Sequence, residues 1–331
     1  MIREMVTPNP IVESTGMSSV ASVELSAVQV EECLLGRGAF CDVWAAWWNN
    51  ERVAIKRIRG DLSRGTEAIA RKDLEREIAI LSQIKPHEHI IRLVATGPGP
   101  FVLLERLTTQ FGERFGAWKA EADRLVPASV TRQLAWVCGP SCVRGLVRRR
   151  GVLWTARIGA ARDLAAALAH LHGTAVPMHR VAYRDLKPSN LGFDGDRLIL
   201  FDFGLAKLLP MGGTDSPPVP MTPETGSVRY MSPEVALGEP YDHSCDIYSF
   251  GILLWQLCAL EIPFAHMTPA MHRQDVVLGG ERPPIGHSDW SESLCSLLAN
   301  CWAASPRARL TAESAVTALD RELRDQTAAL L

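Results

Sequence analysis

Three patterns predict an α+β fold in two lobes. Short stretches of alternating polarity crowd residues 28–104, one charged stretch among them has helical spacing, and the chain beyond residue 153 reads mainly as helix. Residues 1–27, rich in Ser, Thr, Val and Pro, read as a disordered tail. The first strand starts at Val28-Gln29-Val30, and a glycine turn leads to a second over 43–47. Residues 52–58 alternate with period two and make a third. The charged stretch 66–84 carries Leu74, Ile78 and Leu81 at helical spacing. Residues 90–95 and 101–104 read as two more strands. Five strands and one helix make a small antiparallel first lobe.

Residues 108–152 carry no strand or helix assignment. They hold Trp118, Trp136, Pro127, Pro140 and the run Arg148-Arg149-Arg150, and fit either a packed surface insertion or a docking or regulatory element. Helices are then expected over 156–172, 246–260, 291–302 and 311–331. No internal repeat is evident.

The 331 residues, 47% hydrophobic, can bury a sizeable core in each of two lobes. A net charge of −2 carries no global signal for nucleic acid or membrane. The eight cysteines include no Cys-x-x-Cys pair and fit a reducing compartment. Cys138 and Cys142 could pair with a metal or each other, although packing as small hydrophobes is the simpler reading. No run reaches the roughly 18–20 apolar residues of a membrane span. The N-terminus has no secretory signal, so cytoplasm or nucleus is the expected location.

The chemistry concentrates in Tyr183-Arg184-Asp185-Leu186-Lys187-Pro188-Ser189-Asn190 and, further on, Asp202-Phe203-Gly204. These place an aspartate, a lysine, an asparagine and a second aspartate at the spacing that phosphoryl transfer from magnesium-ATP requires. Upstream stand a glycine-rich segment, Gly36-Arg37-Gly38-Ala39-Phe40-Cys41-Asp42-Val43, and Val53-Ala54-Ile55-Lys56. Glycines there let backbone amides approach phosphates without side-chain clash. A lysine inside an apolar strand needs a partner. Glu77 is the first choice and Glu75 the second, the two lying about 200° apart on a helix.

Together these motifs resemble the eukaryotic protein kinases, and Leu186-Lys187-Pro188-Ser189-Asn190 resembles their serine/threonine branch. The late helices look most like the tyrosine-kinase-like group. The resemblance implies a bilobal protein kinase fold over 28–325, with an N-lobe at 28–104, a hinge at 105–107, an insertion at 108–152 and a C-lobe at 153–325. It implies a serine/threonine protein kinase that moves the γ-phosphoryl group of Mg-ATP to a protein substrate. In that reading Asp185 accepts the substrate hydroxyl proton, Lys187 contacts the γ-phosphate, and Asn190 and Asp202 bind Mg²⁺. Lys56, paired with Glu77, meets the α/β-phosphates. Gly36, Arg37, Gly38, Ala39 and Phe40 cover the phosphates. Val43 and Ala54 sandwich the adenine, and Leu191 is counted among the nucleotide contacts. Leu104 guards the back pocket, while the backbone at Glu105 and Leu107 hydrogen-bonds the base.

The resemblance extends to regulation and support. Arg184 would receive a phosphate placed by an upstream kinase, with Thr222 or Thr225 nearest the usual site and Thr214, Ser216 and Ser227 also present. Tyr183 stands where histidine is commoner and would pack against Phe203. Asp246 would anchor the catalytic loop, and Glu234 of Met231-Ser232-Pro233-Glu234 would pair with Arg309. Cys41 replaces the usual third glycine of the loop. With the long insertion, it leaves room for a kinase-shaped scaffold instead of an enzyme, although no residue needed for transfer is missing. A small-molecule kinase fits less well, because Gly226-Ser227 and Ser232-Pro233-Glu234 shape a peptide platform.

Overall fold

The computed structural model describes residues 20–99, 101–125, 128–211, 228–286 and 290–330. The chain divides into two units: residues 20–84 with Leu93–Leu104, and Lys85–Arg92 with the residues from Glu105 onward.

The first unit is built on β1 (Ala21–Ser22), β2 (Gln29–Arg37), β3 (Cys41–Trp48), β4 (Glu51–Ile58), β5 (Leu93–Thr96) and β6 (Phe101–Glu105), in the order β1-β5-β6-β4-β3-β2. The β2–β3, β3–β4 and β5–β6 pairs are antiparallel, as the alternation implies. Val53, Ile55, Ala95, Phe101 and Leu103 pack together as its core. The sheet has six strands rather than five, and β1 pairs parallel with β5. Residues 20–27 are therefore not tail: Val23 donates its amide to the Thr96 carbonyl at 2.9 Å, and Val23 and Val28 both join the core. The remainder of the expected tail, 1–19, lies outside the described residues.

Helix α1 (Arg64–Leu81) starts two residues earlier than its spacing suggests, because the Ser63 side chain accepts the Thr66 amide and caps it. Its buried stripe is Ala70, Leu74, Glu77, Ile80 and Leu81. Ile78, expected in that stripe, sits at its border, half-buried.

The second unit is mainly helical. After β7 (Thr109–Gln110) come α2 (Phe111–Arg124) and α3 (Ala128–Gly173). These two helices occupy most of the expected insertion, 108–152. Phe111 and Trp118 of α2 are buried, and Trp118 meets Phe193 edge-on at 5.7 Å. The start of the expected insertion is thus packed structure of the second unit. Helix α3 runs 46 residues rather than the 17 expected over 156–172. Gly139 and Pro140 hid its first half, since both read as breakers. The side chains of Cys138 and Cys142 lie outside the described residues.

The strands β8 (His179–Ala182), β9 (Leu191–Asp194), β10 (Arg197–Leu200) and β11 (Lys207–Pro210) follow, forming the sheet β10-β9-β7 and the pair β11-β8. The chain ends in α4 (Pro233–Ala236), α5 (Ser244–Ala259), α6 (Pro269–Met271) running on as a π-helical turn over His272–Leu278, α7 (Glu292–Cys301) and α8 (Ala312–Leu330). Helix α5 is buried from Cys245 to Cys258 and forms the spine of this unit. Among the described residues no helix is long and apolar enough to cross a membrane.

Gly251 on α5 lets α7 approach. A Cβ there would lie 2.6 Å from the Cys301 Cβ, a contact that no rotamer change relieves. Gly251→Ala is expected to destabilise the protein: overpacking costs roughly 1–3 kcal/mol against a gain in helix propensity of about 1 kcal/mol at most. A lower thermal midpoint than wild type checks it.

Candidate active site

In the first unit, Gly36 faces Val43 and Arg37 faces Asp42 across the β2–β3 ladder. The turn between them closes with Gly38 N–H donating to the Cys41 carbonyl at 2.8 Å. A Cβ on Gly38 would come within 3.2 Å of that same carbonyl, so glycine suits the position. Arg59 braces the turn from β4's end: its amide donates to the Phe40 carbonyl at 3.0 Å, and its guanidinium reaches the Gly38 and Ala39 carbonyls at 3.5 Å. Nothing in the motif spacing pointed to Arg59. On β4, Lys56 stands opposite Val43, and Ala54 opposite Ala45. The Lys56 Nζ lies 2.6 Å from Glu77 Oε2. Glu75 is exposed, whereas the Glu77 side chain is only 3% exposed, so helix geometry decides between the two glutamates. A carboxylate buried this deeply is stable only with such a partner.

In the second unit, Thr108 donates its amide and hydroxyl to the Phe193 carbonyl at 2.8 and 2.9 Å, stitching the start of β7 to β9. Leu107 lies on Gly192, where a Cβ would come within 2.6 Å of the leucine Cδ1. Leu191, the first residue of β9, is buried. Leu104 is buried at the end of β6.

The loop between β8 and β9 carries the expected polar set. Asp185 is 6% exposed. Its Oδ2 accepts from Lys187 Nζ at 2.8 Å and from Asn190 Nδ2 at 2.9 Å. The same Asn190 nitrogen donates to the Asp185 carbonyl at 2.9 Å, which fixes the orientation of the amide. Asp185 Oδ1 is buried without a hydrogen-bond partner among the described residues. Asp246, at the start of α5, accepts the amides of Tyr183 (2.8 Å) and Arg184 (2.7 Å) and so holds the loop from below. His172, at the end of α3, donates to Asp246 Oδ2 at 2.9 Å. Sequence reasoning missed this histidine, because nothing local links it to a carboxylate 74 positions away.

Tyr183 meets Phe203 edge-on at 5.2 Å and donates its hydroxyl to the Phe201 carbonyl, joining the loop to the segment around Asp202. Arg184 and Asp202 both hold left-handed backbone, φ +74° and +65°. Non-glycine residues take up that conformation at a cost, and it clusters at functional sites. Arg184 Nε donates to the Tyr241 hydroxyl at 2.9 Å and Nη1 to the Leu205 carbonyl at 3.1 Å. Burial, then the nearby Arg184, holds the Lys207 ammonium below its ordinary pKa. Further on, Arg309 grips Glu234 with two parallel bonds of 2.6 and 2.8 Å. Thr214, Ser216, Thr222, Thr225 and Ser227 lie outside the described residues.

Residues 143–319, more than half of the chain, match the protein kinase domain model. The chain is 28% identical to the serine/threonine-protein kinase VIK of Arabidopsis thaliana over 83% of its length, covering 56% of that relative. It is 28% identical to the putative mitogen-activated protein kinase kinase kinase 7-like protein of Drosophila melanogaster, over 88% of this chain and 65% of the relative. It is also 28% identical to the human serine/threonine-protein kinase TNNI3K, over 89% of this chain and 31% of the relative. The chain thus spans less than two thirds of the length of these relatives. With the domain match, the α+β architecture and the polar loop in agreement, the chain belongs to the protein kinase domain family.

Proposed function

We propose that the chain transfers the γ-phosphoryl group of Mg-ATP to serine or threonine hydroxyls of protein substrates. The observation that carries the reading is Asp185: one carboxylate oxygen is held by Lys187 and Asn190, and the other is buried with no partner among the described residues. An acceptor kept in that state suits the proton of an attacking hydroxyl. Lys187 lies close enough to neutralise a phosphoryl group transferred beside Asp185. The donor set also fits the metal. Asn190 spends its amide nitrogen on Asp185; its Oδ1 accepts only a long 3.5 Å bond from the Ser189 hydroxyl and can serve a cation, and the Asp202 carboxylate adds a second hard oxygen. Magnesium, when bound, offsets the charge of the phosphate oxygens. Lys56, fixed by Glu77, adds a cation for the α/β-phosphates, and the turn at 36–40 adds backbone amides.

The serine/threonine preference rests on Leu186-Lys187-Pro188-Ser189-Asn190 and on the likeness to serine/threonine-protein kinases. Arg184 and Lys207 bring two cations near each other, which supports a role in receiving a phosphate from an upstream kinase at Thr222 or Thr225. The eight cysteines, with no Cys-x-x-Cys pair among them, support a reducing location such as the cytoplasm.

The test is transfer from labelled Mg-ATP to a generic protein substrate, wild type beside Asp202→Ala, followed by phosphoamino-acid analysis. Phosphoserine or phosphothreonine from the wild type alone is expected. Phosphotyrosine alone would overturn the substrate class, and equal transfer by both proteins would overturn the role of Asp202.

A further inference from the structure

The turn at 38–41 is gripped from one side. Arg59 and Asp61 form a two-pronged pair, with Arg59 Nε 2.9 Å from Asp61 Oδ1 and Nη2 2.5 Å from Oδ2. The fork that Asp61 takes leaves Nη1 on the other corner of the guanidinium. That nitrogen reaches the Gly38 and Ala39 carbonyls, 3.5 Å from each. The next carbonyl, of Phe40, accepts the Arg59 amide at 3.0 Å. Three successive carbonyls are thus turned toward one residue. Arg37 does not share the task, because its guanidinium is engaged with the Asp42 carboxylate at 3.1 and 3.3 Å.

The carbonyls fix the amides. Every peptide bond among the described residues is trans, and a trans peptide sets its N–H opposite its C=O. The Ala39 and Phe40 amides therefore point away from Arg59, and neither donates a hydrogen bond among the described residues. Strand β4 decides which side that is. Side chains alternate between the two faces of a strand. Lys56 and Arg59 are three positions apart, and the Arg59 amide carries the β3–β4 ladder one bond further, so the two side chains leave opposite faces. With the carbonyls on the Arg59 face, the two amides lie on the face of the Lys56 ammonium.

We infer that Arg59, aimed by Asp61, is a positioning residue: it holds the turn with the Ala39 and Phe40 amides facing the phosphates of the nucleotide, so that the turn meets them already ordered. The inference rests on the nucleotide reading above and deepens it. Ordering a loop at the moment of binding costs affinity, and a loop held beforehand escapes that cost. The Arg59 side chain is 24% exposed and that of Asp61 65%, so the pair itself adds little to global stability.

The experiment is a calorimetric titration of the full chain with Mg-ATP and with adenosine, which keeps the base and ribose but has no phosphate, in wild type, Arg59→Lys and Asp61→Asn. Both variants are expected to bind Mg-ATP about fivefold more weakly and adenosine within about twofold of wild type. Arg59→Lys keeps the positive charge but has no fork for Asp61. Asp61→Asn keeps the arginine but offers its fork a single acceptor oxygen, so the guanidinium is no longer aimed. The two variants also separate position from charge. If Arg59 only attracts the phosphates, Arg59→Lys matches wild type, and Asp61→Asn, having lost a nearby anion, binds Mg-ATP more tightly. Either result overturns the inference while the nucleotide reading stands. Adenosine weakened in step with Mg-ATP marks general damage to the first unit and overturns it likewise, as does a wild type that binds the two equally. A wild type that binds neither overturns both the inference and the nucleotide reading.

Discussion

Asp185→Asn is expected to keep its fold and its affinity for ATP while losing about a thousandfold in turnover, within the range a positioned general base contributes. The hydrogen bonds around Asp185 explain why so small a change should be so costly. Two donors, Lys187 Nζ and Asn190 Nδ2, converge on Oδ2. An asparagine placed there keeps its carbonyl oxygen toward those donors, because turning its NH₂ to them would set donor against donor. The NH₂ then takes the place of Oδ1, the oxygen with no partner among the described residues. A hydrogen-bond donor would stand where the substrate hydroxyl must release its proton. The loop itself hangs from Asp246 through the Tyr183 and Arg184 amides, which the substitution does not touch. Single-turnover transfer measured beside nucleotide titration separates the two effects. Near-normal turnover in the variant refutes the base assignment, and loss of nucleotide binding in step with turnover refutes the claim that its effect is confined to the chemical step.

The polar set around Asp185 was legible because it lies within one short loop, where sequence spacing and spatial spacing are nearly the same. β4 was legible for a similar reason: the alternation over Arg52 to Ile58 is local, although Ala54 is buried along with Val53 and Ile55. Glu77 could be preferred over Glu75 only with a helix in mind, and the burial of one and exposure of the other comes from the side of α1 that packs. What stayed hidden depends on distant partners. β1 contributes two exposed residues and is held by a parallel pairing with β5 far along the chain, so its composition looks like tail. The first half of α3 contains a glycine and a proline that end most helices, and here its continuation overrides local propensity. His172 and Arg59 act through tertiary hydrogen bonds whose partners no local pattern specifies.

Arg309→Met is expected to be the most destabilising single change in the second unit, costing roughly 3–5 kcal/mol. The Arg309 side chain in this ion pair is 0% exposed and that of Glu234 6%, so neither charge is eased by solvent. Methionine approximates the length of the stem but leaves the Glu234 carboxylate buried and alone. It also orphans the Ala303 and Ser244 carbonyls, which accept from Arg309 at 3.1 Å, and removes the guanidinium from the face of Tyr248, 5.2 Å away. Removing both charges separates these contributions. Glu234→Gln combined with Arg309→Met abolishes the uncompensated charge but not the orphaned carbonyls. The double variant should therefore lie between wild type and Arg309→Met, and its shortfall from wild type measures the carbonyl and ring contacts. Urea denaturation followed by the fluorescence of Trp255 and Trp302, both buried in this unit, reads the three proteins on one scale. If the double variant is less stable than Arg309→Met, the buried charge is not the dominant cost. The pair would then act mainly through hydrogen bonds from the guanidinium to α4, to the backbone at the start of α5 and to the backbone after α7.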